Sequence, residues 1–316
     1  MNANNHETTM QAIITAHASR LALPASVPAV AQFSSTAPVY RAAKSACHGM
    51  GFIDIDAECV ALAWQAQAQR TGHFDAAQWP DQPQDFGLDL WPRAEAFAPC
   101  PKQLGLYAVL PDATWVGRMA RSGVPTLQLR FKSDNPNAIE REVQAAVDAV
   151  RGTPALLFIN DHWQAALNAG AYGVHLGQED LVATRAADLA TIRNAGLRLG
   201  ISSHGYAEML RADRHSPSYI ALGAVYATTL KRMVTPPQGP GRLQAYAKLM
   251  RDYPLVAIGG IDLTRLDDVL ASEVGSVAVV RALVAAAQPE VEAATWMQRL
   301  KANPFTLSLS KGSPAG

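Results

Sequence analysis

The chain is short of cysteine and of any excess of one charge. Its 316 residues include three cysteines, Cys47, Cys59 and Cys100, and no C-x-x-C pair. Few, unpaired cysteines are typical of a reducing compartment, so a cytoplasmic location is expected. Cationic and anionic side chains number 27 each. This balance excludes the broad electrostatic attraction of a dedicated nucleic-acid or anionic-membrane binder, although a local basic pocket stays open.

Export and membrane signals are also scarce. The sequence has no run of about 18 uncharged apolar residues, so no transmembrane helix is predicted. The apolar stretch 12–23 is interrupted by His17 and Arg20 and has no basic segment before it, which argues against a secretory signal. Small molecules are therefore the expected partners, with no nucleic acid and no membrane. A homo-oligomer is left open.

The composition changes near residue 102. Residues 1–102 contain all the cysteines and three of the six tryptophans. Helices are predicted at Met10–Leu21 and Glu58–Arg70, and the proline-containing stretch Phe97–Gln103 is interpreted as a linker. The region has no phosphate loop, metal cluster or nucleophile arrangement, so a packing or interaction role is favoured. A small helical module and a loosely packed extension are both open.

From Leu104 onward, eight short apolar runs alternate with stretches of helical periodicity. Unalternating apolar runs are typical of parallel strands covered on both faces, and the strict alternation indicates βαβ units. Eight such units in about 200 residues predict an α/β fold, a (βα)8 TIM barrel over residues 103–303 with a tail at 304–316. An open doubly wound sheet is the alternative, but it seldom has eight repeats.

The predicted strands are Leu104–Leu110, Thr126–Phe131, Ala155–Ile159, Gly173–Leu176, Arg198–Ser202, Tyr219–Gly223, Leu255–Ile258 and Ser276–Val280. The predicted helices are Ala138–Val150, Trp163–Ala169, Ala183–Ala195, Ala207–Arg211, Leu243–Asp252, Thr264–Ala271 and Glu290–Leu300. Barrel enzymes place their sites on the loops that follow the strands. The polar residues at those strand ends are therefore the candidates for function.

A basic, polar triplet ends the second predicted strand. Gln128, Arg130 and Lys132 alternate along the chain, so they are expected to point together into the barrel mouth. Polar side chains inside an apolar sheet are costly without a partner, and an anionic substrate would supply one. The alternative is a strand end whose charges extend into solvent.

Two aspartates follow the next two predicted strands. Asp161 and Asp180 are expected to lie a few ångströms apart and close to the basic triplet. Carboxylates beside cationic side chains suit a magnesium–diphosphate group, because Mg²⁺ takes carboxylate, water and phosphate oxygens. The alternative is that each aspartate caps the helix that follows it.

The later strand ends add hydroxyl groups, a lysine and glycines. Ser202 and Lys231 can bind a polar substrate and neutralise a leaving group. Gly259-Gly260 after the seventh strand, with the backbone amides at Val280 and Arg281 after the eighth, predicts a phosphate site near a helix N-terminus. The sequence thus indicates two phosphorylated ligands in one barrel mouth.

Together these residues resemble the thiamine phosphate synthase family over residues 104–300. The strings that carry the resemblance are Gln128-x-Arg130-x-Lys132, Asn160-Asp161, Gly173-Val174-His175-Leu176-Gly177-Gln178-Glu179-Asp180, Gly200-Ile201-Ser202, Ala257-Ile258-Gly259-Gly260-Ile261 and Val274-Gly275-Ser276-Val277-Ala278-Val279-Val280. The resemblance implies a transferase that uses Mg²⁺ to join 4-amino-2-methyl-5-hydroxymethylpyrimidine diphosphate to 4-methyl-5-(2-phosphoethyl)thiazole, or its carboxylated form. The products are thiamine phosphate and diphosphate. In the family the diphosphate leaves first, and the thiazole nitrogen attacks the resulting pyrimidine methyl cation.

The resemblance also implies three sets of site residues. The pyrimidine diphosphate is expected to bind Gln128, Arg130, Lys132 and Asn160, with Asp161 and Asp180 on magnesium. The thiazole phosphate is expected to bind Thr228, Gly260, Val280 and Arg281. Ser202 and Lys231 are expected at the substrate and the departing diphosphate, so that Arg130, Lys132, Ser202 and Lys231 are the catalytic groups. Catalysis would rest on positioning and electrostatics without a protein nucleophile.

Two positions depart from the family pattern, and a loop is unusually long. The usual Thr-x-Thr-Lys appears as Thr228-Thr229-Leu230-Lys231, and Arg281 replaces a serine. The Arg281 guanidinium is expected to contact the phosphate, the alternative being that it points away. Segment 232–242, rich in proline and glycine, is interpreted as a lid.

Two rival functions are weighed against the synthase. A thiazole tautomerase of the same fold uses a histidine where this chain has Ala224, and the chain retains the cation and metal residues. A barrel that binds thiamine precursors without turnover is conceivable because of Leu230. The residues favour the synthase.

Overall fold

A closed barrel of eight parallel strands forms the centre of the molecule. The computed structural model describes residues 3–24, 32–228 and 235–302. The strands pair in chain order, and the eighth pairs with the first. The barrel prediction is thus confirmed, and an open sheet is excluded. The strands are β1 Gly105–Leu110, β2 Thr126–Leu129, β3 Leu156–Asn160, β4 Gly173–Leu176, β5 Arg198–Ser203, β6 Tyr219–Leu222, β7 Leu255–Ile258 and β8 Ser276–Val279.

Helices surround the barrel and also form the N-terminal region. They are α1 Ala3–Leu21, α2 Pro38–Gly49, α3 Asp54–Thr71, α4 Ala113–Arg121, α5 Pro136–Val150, α6 Trp163–Ala169, α7 Gln178–Ala183, α8 Ala186–Asn194, α9 Tyr206–Asp213, α10 Gly239–Leu249, α11 Leu266–Leu270, α12 Arg281–Val284 and α13 Pro289–Lys301, with a short 3-10 helix at Pro83–Phe86. Among the helices that the structure describes, none has the length and apolar character needed to cross a membrane.

The helix predictions were wrong in two kinds of place. The helix predicted at Ala183–Ala195 is α8, which begins only at Ala186 because Thr184 and Arg185 both have an extended backbone (ψ 123° and 153°). Helices α2, α4, α7 and α12 were not predicted. Helix α2 begins at a proline, the residue whose fixed φ and missing N–H suit the first helical position.

Large aromatic side chains fill the barrel interior, and glycines on neighbouring strands make room for them. A Cβ added at Gly200 would lie 2.1 Å from the Tyr219 ring, and one at Gly173 would lie 2.7 Å from the Phe158 ring. Small residues opposite large ones allow the interior to reach native packing density. Tyr219 is consequently fully buried, with its hydroxyl group just below the barrel mouth.

Residues 3–24 and 32–102 form a helical unit, called here the N-terminal module, that packs on α9 and α10. Its buried residues Ile13, Tyr40 and Trp64 belong to the same apolar cluster as the outer face of the barrel. Trp79 Nε1 donates a hydrogen bond to the Tyr206 hydroxyl on α9, at 2.9 Å. The prediction of a small helical module is confirmed for this region, and the alternative of a loosely packed extension is wrong.

The stretch predicted as a linker is bound along the barrel. Phe97 N donates to Ser216 O at 3.0 Å, and Ala98 O accepts from Ser218 Oγ at 2.6 Å. Lys102 Nζ donates to Tyr253 O at 2.6 Å. These contacts lie where α9 ends and β6 and β7 begin, so the chain enters β1 across the amino-terminal end of the barrel.

Asp56 is a buried carboxyl group at the junction of the module and the barrel, and it should make stability depend on pH. It is 5% exposed and accepts a hydrogen bond from Ala207 N at 2.8 Å. Burial raises its pKa from 3.8 to about 6. The folded protein therefore holds a proton that the unfolded chain releases near pH 4, and stability falls as pH rises from about 4 to 6.

Asp56→Asn keeps the acceptor oxygen but removes the buried charge. We expect the variant to exceed the wild type in free energy of unfolding by about 1–3 kcal/mol at pH 8. At pH 4 the wild-type carboxyl is protonated, so the difference should vanish. Urea unfolding at both pH values measures it, and a difference that does not change with pH would contradict the assignment.

Candidate active site

The carboxyl ends of the strands surround a cavity of about 760 Å³. It brings together every candidate residue that the structure describes. These are Gln128, Arg130, Lys132, Asn160, Asp161, Asp180, Ser202, Thr228, Gly260, Val280 and Arg281. Lys231 and the departure at Leu230 lie outside the described residues. The placement agrees with the expectation that the strand ends converge, while the individual roles stay predictions.

The basic triplet reaches the cavity by a different geometry from the one predicted. Strand β2 ends at Leu129, so only Gln128 points inward as a strand residue, and it is 5% exposed. Arg130 and Lys132 lie in the loop that follows and are exposed. Strand alternation therefore does not explain why Arg130 and Lys132 reach the cavity. Lys132 Nζ donates to Asp161 Oδ2 at 2.6 Å, which holds the lysine over the cavity.

The two aspartates are not helix caps. The N-cap of α6 is His162 and that of α7 is Gly177, and neither helix has a side-chain cap. Asp161 has a left-handed backbone (φ 64°) and donates its N–H to His175 O at 3.0 Å. A non-glycine residue in this conformation is costly and is common at functional sites. The capping alternative is therefore wrong.

The carboxyl groups of Asp161 and Asp180 lie close enough to interact. Burial and then the neighbouring Asp161 carboxylate raise the pKa of Asp180. A cation between the two groups would relieve this repulsion. Among the described residues no group of three or more His, Cys, Asp or Glu side chains forms a metal cage. Two carboxylates fit Mg²⁺ when water and substrate phosphate oxygens complete its coordination.

A hydrogen-bonded chain of side chains crosses the floor of the cavity. Gln128 and Asn160 were predicted as site residues, whereas Tyr107 and Tyr219 were not. Gln128 Nε2 donates to Asn160 Oδ1 at 2.7 Å, and the Tyr107 hydroxyl donates to Gln128 Oε1 at 3.0 Å. The hydroxyl groups of Tyr107 and Tyr219 are 2.7 Å apart. The tyrosines were counted among the apolar strand residues, so only their position inside a barrel could have indicated a polar role. Their contacts fix the Gln128 amide.

His175 continues this chain toward Ser202. Its Nδ1 lies 2.7 Å from the Tyr219 hydroxyl, and its Nε2 lies 2.8 Å from Ser202 Oγ. Burial lowers the pKa of His175 from 6.5 to about 4. The ring is therefore neutral near pH 7, with one nitrogen that donates and one that accepts. It orients the Ser202 hydroxyl without adding a charge.

The low pKa of His175 gives an expected pH profile. Nitrogen-15 NMR of labelled histidine should show a neutral His175 ring from pH 8 down to about pH 5, where an ordinary histidine would already be largely protonated. The unfolded chain ionises near pH 6.5, so this residue's contribution to stability is present above that pH and is lost as pH falls toward 4. His175→Asn assigns the signal, and a midpoint of 6 to 7 would contradict the burial argument.

Glycine at the seventh strand end has a structural reason as well as the predicted one. Gly259 and Gly260 have φ values of 102° and 64°. A Cβ on Gly260 would lie 2.4 Å from Ala227 O in the loop after β6. The two glycines thus allow the loops after β6 and β7 to pack closely. The sequence interpretation explained them only by the approach of a phosphate to the main chain.

Cationic side chains also line the side of the cavity formed by the ends of β7 and β8, called here the second side. Val280 is the N-cap of α12, and Arg281 is its first residue. Arg265, which sequence reasoning missed, donates Nη1 to Gly260 O at 2.6 Å and lies over the Tyr226 ring. Anions are stabilised near a helix start, so both sides of the cavity suit phosphorylated groups.

The predicted lid is partly a helix. Residues 232–234 lie outside the described residues, but α10 begins at Gly239, within the segment 232–242. Gln238 N donates to Ala224 O and Gly239 N donates to Val225 O, both at 2.9 Å. The described end of the segment is therefore tied to the loop after β6, and the lid prediction is wrong for residues 239–242.

Comparison with known proteins places the chain in a family. The sequence profile described as thiamine monophosphate synthase matches residues 106–283. The chain is 52% identical over 194 residues to a thiamine-phosphate synthase of Neisseria gonorrhoeae, covering 61% of this chain and 93% of that protein. It is 50% identical over 191 residues to one of Escherichia coli, covering 60% and 89%. A solved structure of thiamine phosphate pyrophosphorylase from Pyrococcus furiosus has the same fold, with a TM-score of 0.54, 24% identity and coverage of 62% and 96%. The chain belongs to the thiamine monophosphate synthase family.

Proposed function

We propose that this protein joins hydroxymethylpyrimidine diphosphate to thiazole phosphate and releases diphosphate, as a thiamine phosphate synthase. The main support is that one cavity has two sides suited to phosphates. One side has cations and carboxylates for a metal-bound diphosphate, and the other has glycines and the N-terminus of α12 for a second phosphate. Family membership supports the same reaction. Ala224 lines the cavity without an imidazole, which disfavours the tautomerase.

The diphosphate side stabilises a leaving group. Arg130 and Lys132 place two cations at the cavity rim, where they would bind the charge that develops as the carbon–oxygen bond breaks. Asp161 and Asp180 would hold Mg²⁺, which when bound neutralises diphosphate oxygens. Gln128 offers an amide whose orientation is fixed from below by Tyr107.

The reaction then needs positioning more than acid or base catalysis. The thiazole nitrogen supplies the electron pair of the new carbon–nitrogen bond, and the bonding pair of the broken bond leaves with the diphosphate. No proton has to move. Ser202, oriented by the neutral His175, can hydrogen-bond a polar group of the pyrimidine. Holding both substrates in one cavity supplies the remaining acceleration.

The direct test is an activity assay. Purified full-length protein with both substrates and Mg²⁺ should produce thiamine phosphate and diphosphate in equal amounts, and a chelator should stop the reaction. Saturable binding of both substrates without product would favour a non-catalytic precursor-binding barrel. Rearrangement of the thiazole alone would favour the tautomerase.

Arg281 should contribute to thiazole phosphate binding. It lines the cavity at the first residue of α12. Arg281→Ala should raise the KM for thiazole phosphate by about tenfold, the value of one charge-assisted hydrogen bond, and leave the KM for the pyrimidine diphosphate unchanged. Arg185→Ala, at an exposed arginine paired with Asp188, is the matched control. An unchanged KM for thiazole phosphate would show that Arg281 points away from the ligand.

A cytoplasmic location is part of the same proposal. Cys47, Cys59 and Cys100 are free thiols. Burial raises the pKa of Cys59 and of Cys100 to about 12, so both stay protonated and unreactive at neutral pH. Free thiols are expected in a reducing compartment.

A further inference from the structure

The loop after β6 forms one wall of the cavity, and its two described parts are held together at Gln238. These parts, residues 223–228 and 235–238, are called here the β6 loop. Gln238 is 5% exposed, donates its N–H to Ala224 O at 2.9 Å and donates Nε2 to Pro236 O at 2.6 Å. Ala224 and Thr228 both line the cavity. Gln238 therefore helps to hold the cavity wall, together with the hydrogen bonds that Val225 N and Tyr226 N donate to Ile258 O and Gly259 O.

Arg242 connects Gln238 to the N-terminal module. Its Nη1 donates to Gln238 Oε1 at 3.1 Å. Its Nε donates to Leu21 O and its Nη2 donates to Met50 O, both at 2.9 Å. One planar guanidinium group thus bonds α1, the end of α2 and the β6 loop at once. A guanidinium suits this task because its donors have a fixed fork geometry.

The surroundings of Arg242 are built for a buried cation. The residue is 2% exposed, and its guanidinium lies 3.5 Å from the centre of the Phe52 ring. Its two main-chain acceptors, at Leu21 and Met50, are at the carboxyl ends of α1 and α2, where the helix dipoles place negative charge. The N-terminal module thus supplies the stabilisation that allows a charged side chain to stay beneath the β6 loop.

We infer that the N-terminal module positions the thiazole side of the active site, with Arg242 as the positioning residue. The argument rests on the proposed function for the identity of the ligand, because Thr228 and Gly260 lie on the side assigned to thiazole phosphate. Gly260 contacts Ala227 of the same loop, so a shift of the loop also disturbs the glycine cradle. The N-terminal module would then act on the reaction without touching a substrate.

Arg93 is the matched control, because it also joins the N-terminal module to the barrel. Its side chain is 10% exposed and forms an ion pair with Asp213 at 2.8 Å. It also donates to Ser216 Oγ at 3.3 Å and to the Tyr253 hydroxyl at 3.1 Å. These partners lie at the amino-terminal end of the barrel, far from the β6 loop. Loss of Arg93 weakens docking of the module without releasing Gln238.

The test compares Arg242→Met, Arg242→Lys and Arg93→Met in the full-length protein. Steady-state kinetics give KM for each substrate, thermal unfolding gives Tm, and hydrogen exchange followed by mass spectrometry reports the amides of Gln238 and Gly239. We expect Arg242→Met to raise the KM for thiazole phosphate about tenfold, with the KM for the pyrimidine diphosphate within about twofold of wild type. Exchange at Gln238 and Gly239 should become faster. Arg242→Lys should recover part of both effects.

Arg93→Met should lower Tm by about as much as Arg242→Met does. It should leave both KM values and the hydrogen exchange of the β6 loop at wild-type levels. Equal effects of Arg93→Met and Arg242→Met on KM would overturn the proposal, since a general loss of stability would then explain both. An unchanged KM for thiazole phosphate in Arg242→Met would also overturn it. The hydrogen-exchange comparison needs no substrate, so it decides by itself whether Arg242 holds the β6 loop. A wild-type protein that makes no product would refute the proposed function and not the role of Arg242.

Discussion

Asp161→Asn and Asp180→Asn should each lower kcat/KM by about 10³-fold or more while the barrel stays folded. The two carboxyl groups interact, and burial with the Asp161 charge raises the pKa of Asp180. Lys132 pairs with Asp161, but one cation does not balance two carboxylates. A divalent cation and its bound diphosphate would complete the charge balance. Removal of either carboxylate would remove one of the two proposed protein ligands of that cation.

Asparagine is the right replacement because it separates charge from backbone strain. Asp161 has φ 64°, a conformation that asparagine tolerates better than alanine does. Asp148→Asn is the control, since Asp148 lies on α5 outside the cavity, where it pairs with Arg151. Its kcat/KM should stay within a few-fold of wild type. Wild-type activity in Asp161→Asn or Asp180→Asn, at limiting Mg²⁺, would remove the metal assignment.

The barrel could be predicted from the sequence because parallel strands buried on both faces have a simple signature. Strands β4 and β7 have the predicted bounds, and the others differ at one or both ends by one or two residues. Helices were harder where their ends depend on tertiary contacts. The break between α7 and α8 comes from the extended backbone at Thr184 and Arg185, and no proline or glycine marks it.

The site residues at strand ends could also be predicted, because a barrel brings the ends of distant strands together. The interior network could not. Tyr107 and Tyr219 read as strand-forming aromatic residues, and their polar role depends on hydroxyl groups that meet across the barrel, 112 residues apart in sequence. Gly200 contributes by leaving space for the Tyr219 ring, a role visible only in three dimensions.

The role of the N-terminal module was likewise inaccessible to pattern reasoning. Arg242 lies 221 residues from Leu21 and 192 from Met50, and its partners are main-chain carbonyl groups, which carry no residue identity. The sequence could indicate only that the segment around Arg242 was rich in proline and glycine. Such residues suggest a loop, whereas the segment contains the start of α10, which has a proline in its first turn.

Arg130→Met should lower kcat/KM by about 10²- to 10³-fold, the usual cost of one group that stabilises developing negative charge. Arg130 gives a cleaner test of this role than Lys132 does. Lys132 bonds Asp161 at 2.6 Å, so its removal would also disturb the carboxylate pair. The expected loss lies in kcat and in the KM for the pyrimidine diphosphate, with the KM for thiazole phosphate unchanged.

Arg130→Lys distinguishes charge from geometry at the same position. If Arg130 binds two diphosphate oxygens through its planar fork, lysine should recover only part of the loss, because an ammonium group presents a point charge. Full recovery would mean that charge alone matters at the rim. A change in kcat/KM no larger than that of the exposed control Arg185→Met would mean that the Arg130 side chain extends into solvent. Lys132, in the same loop after β2, would then be the cation that faces the leaving group.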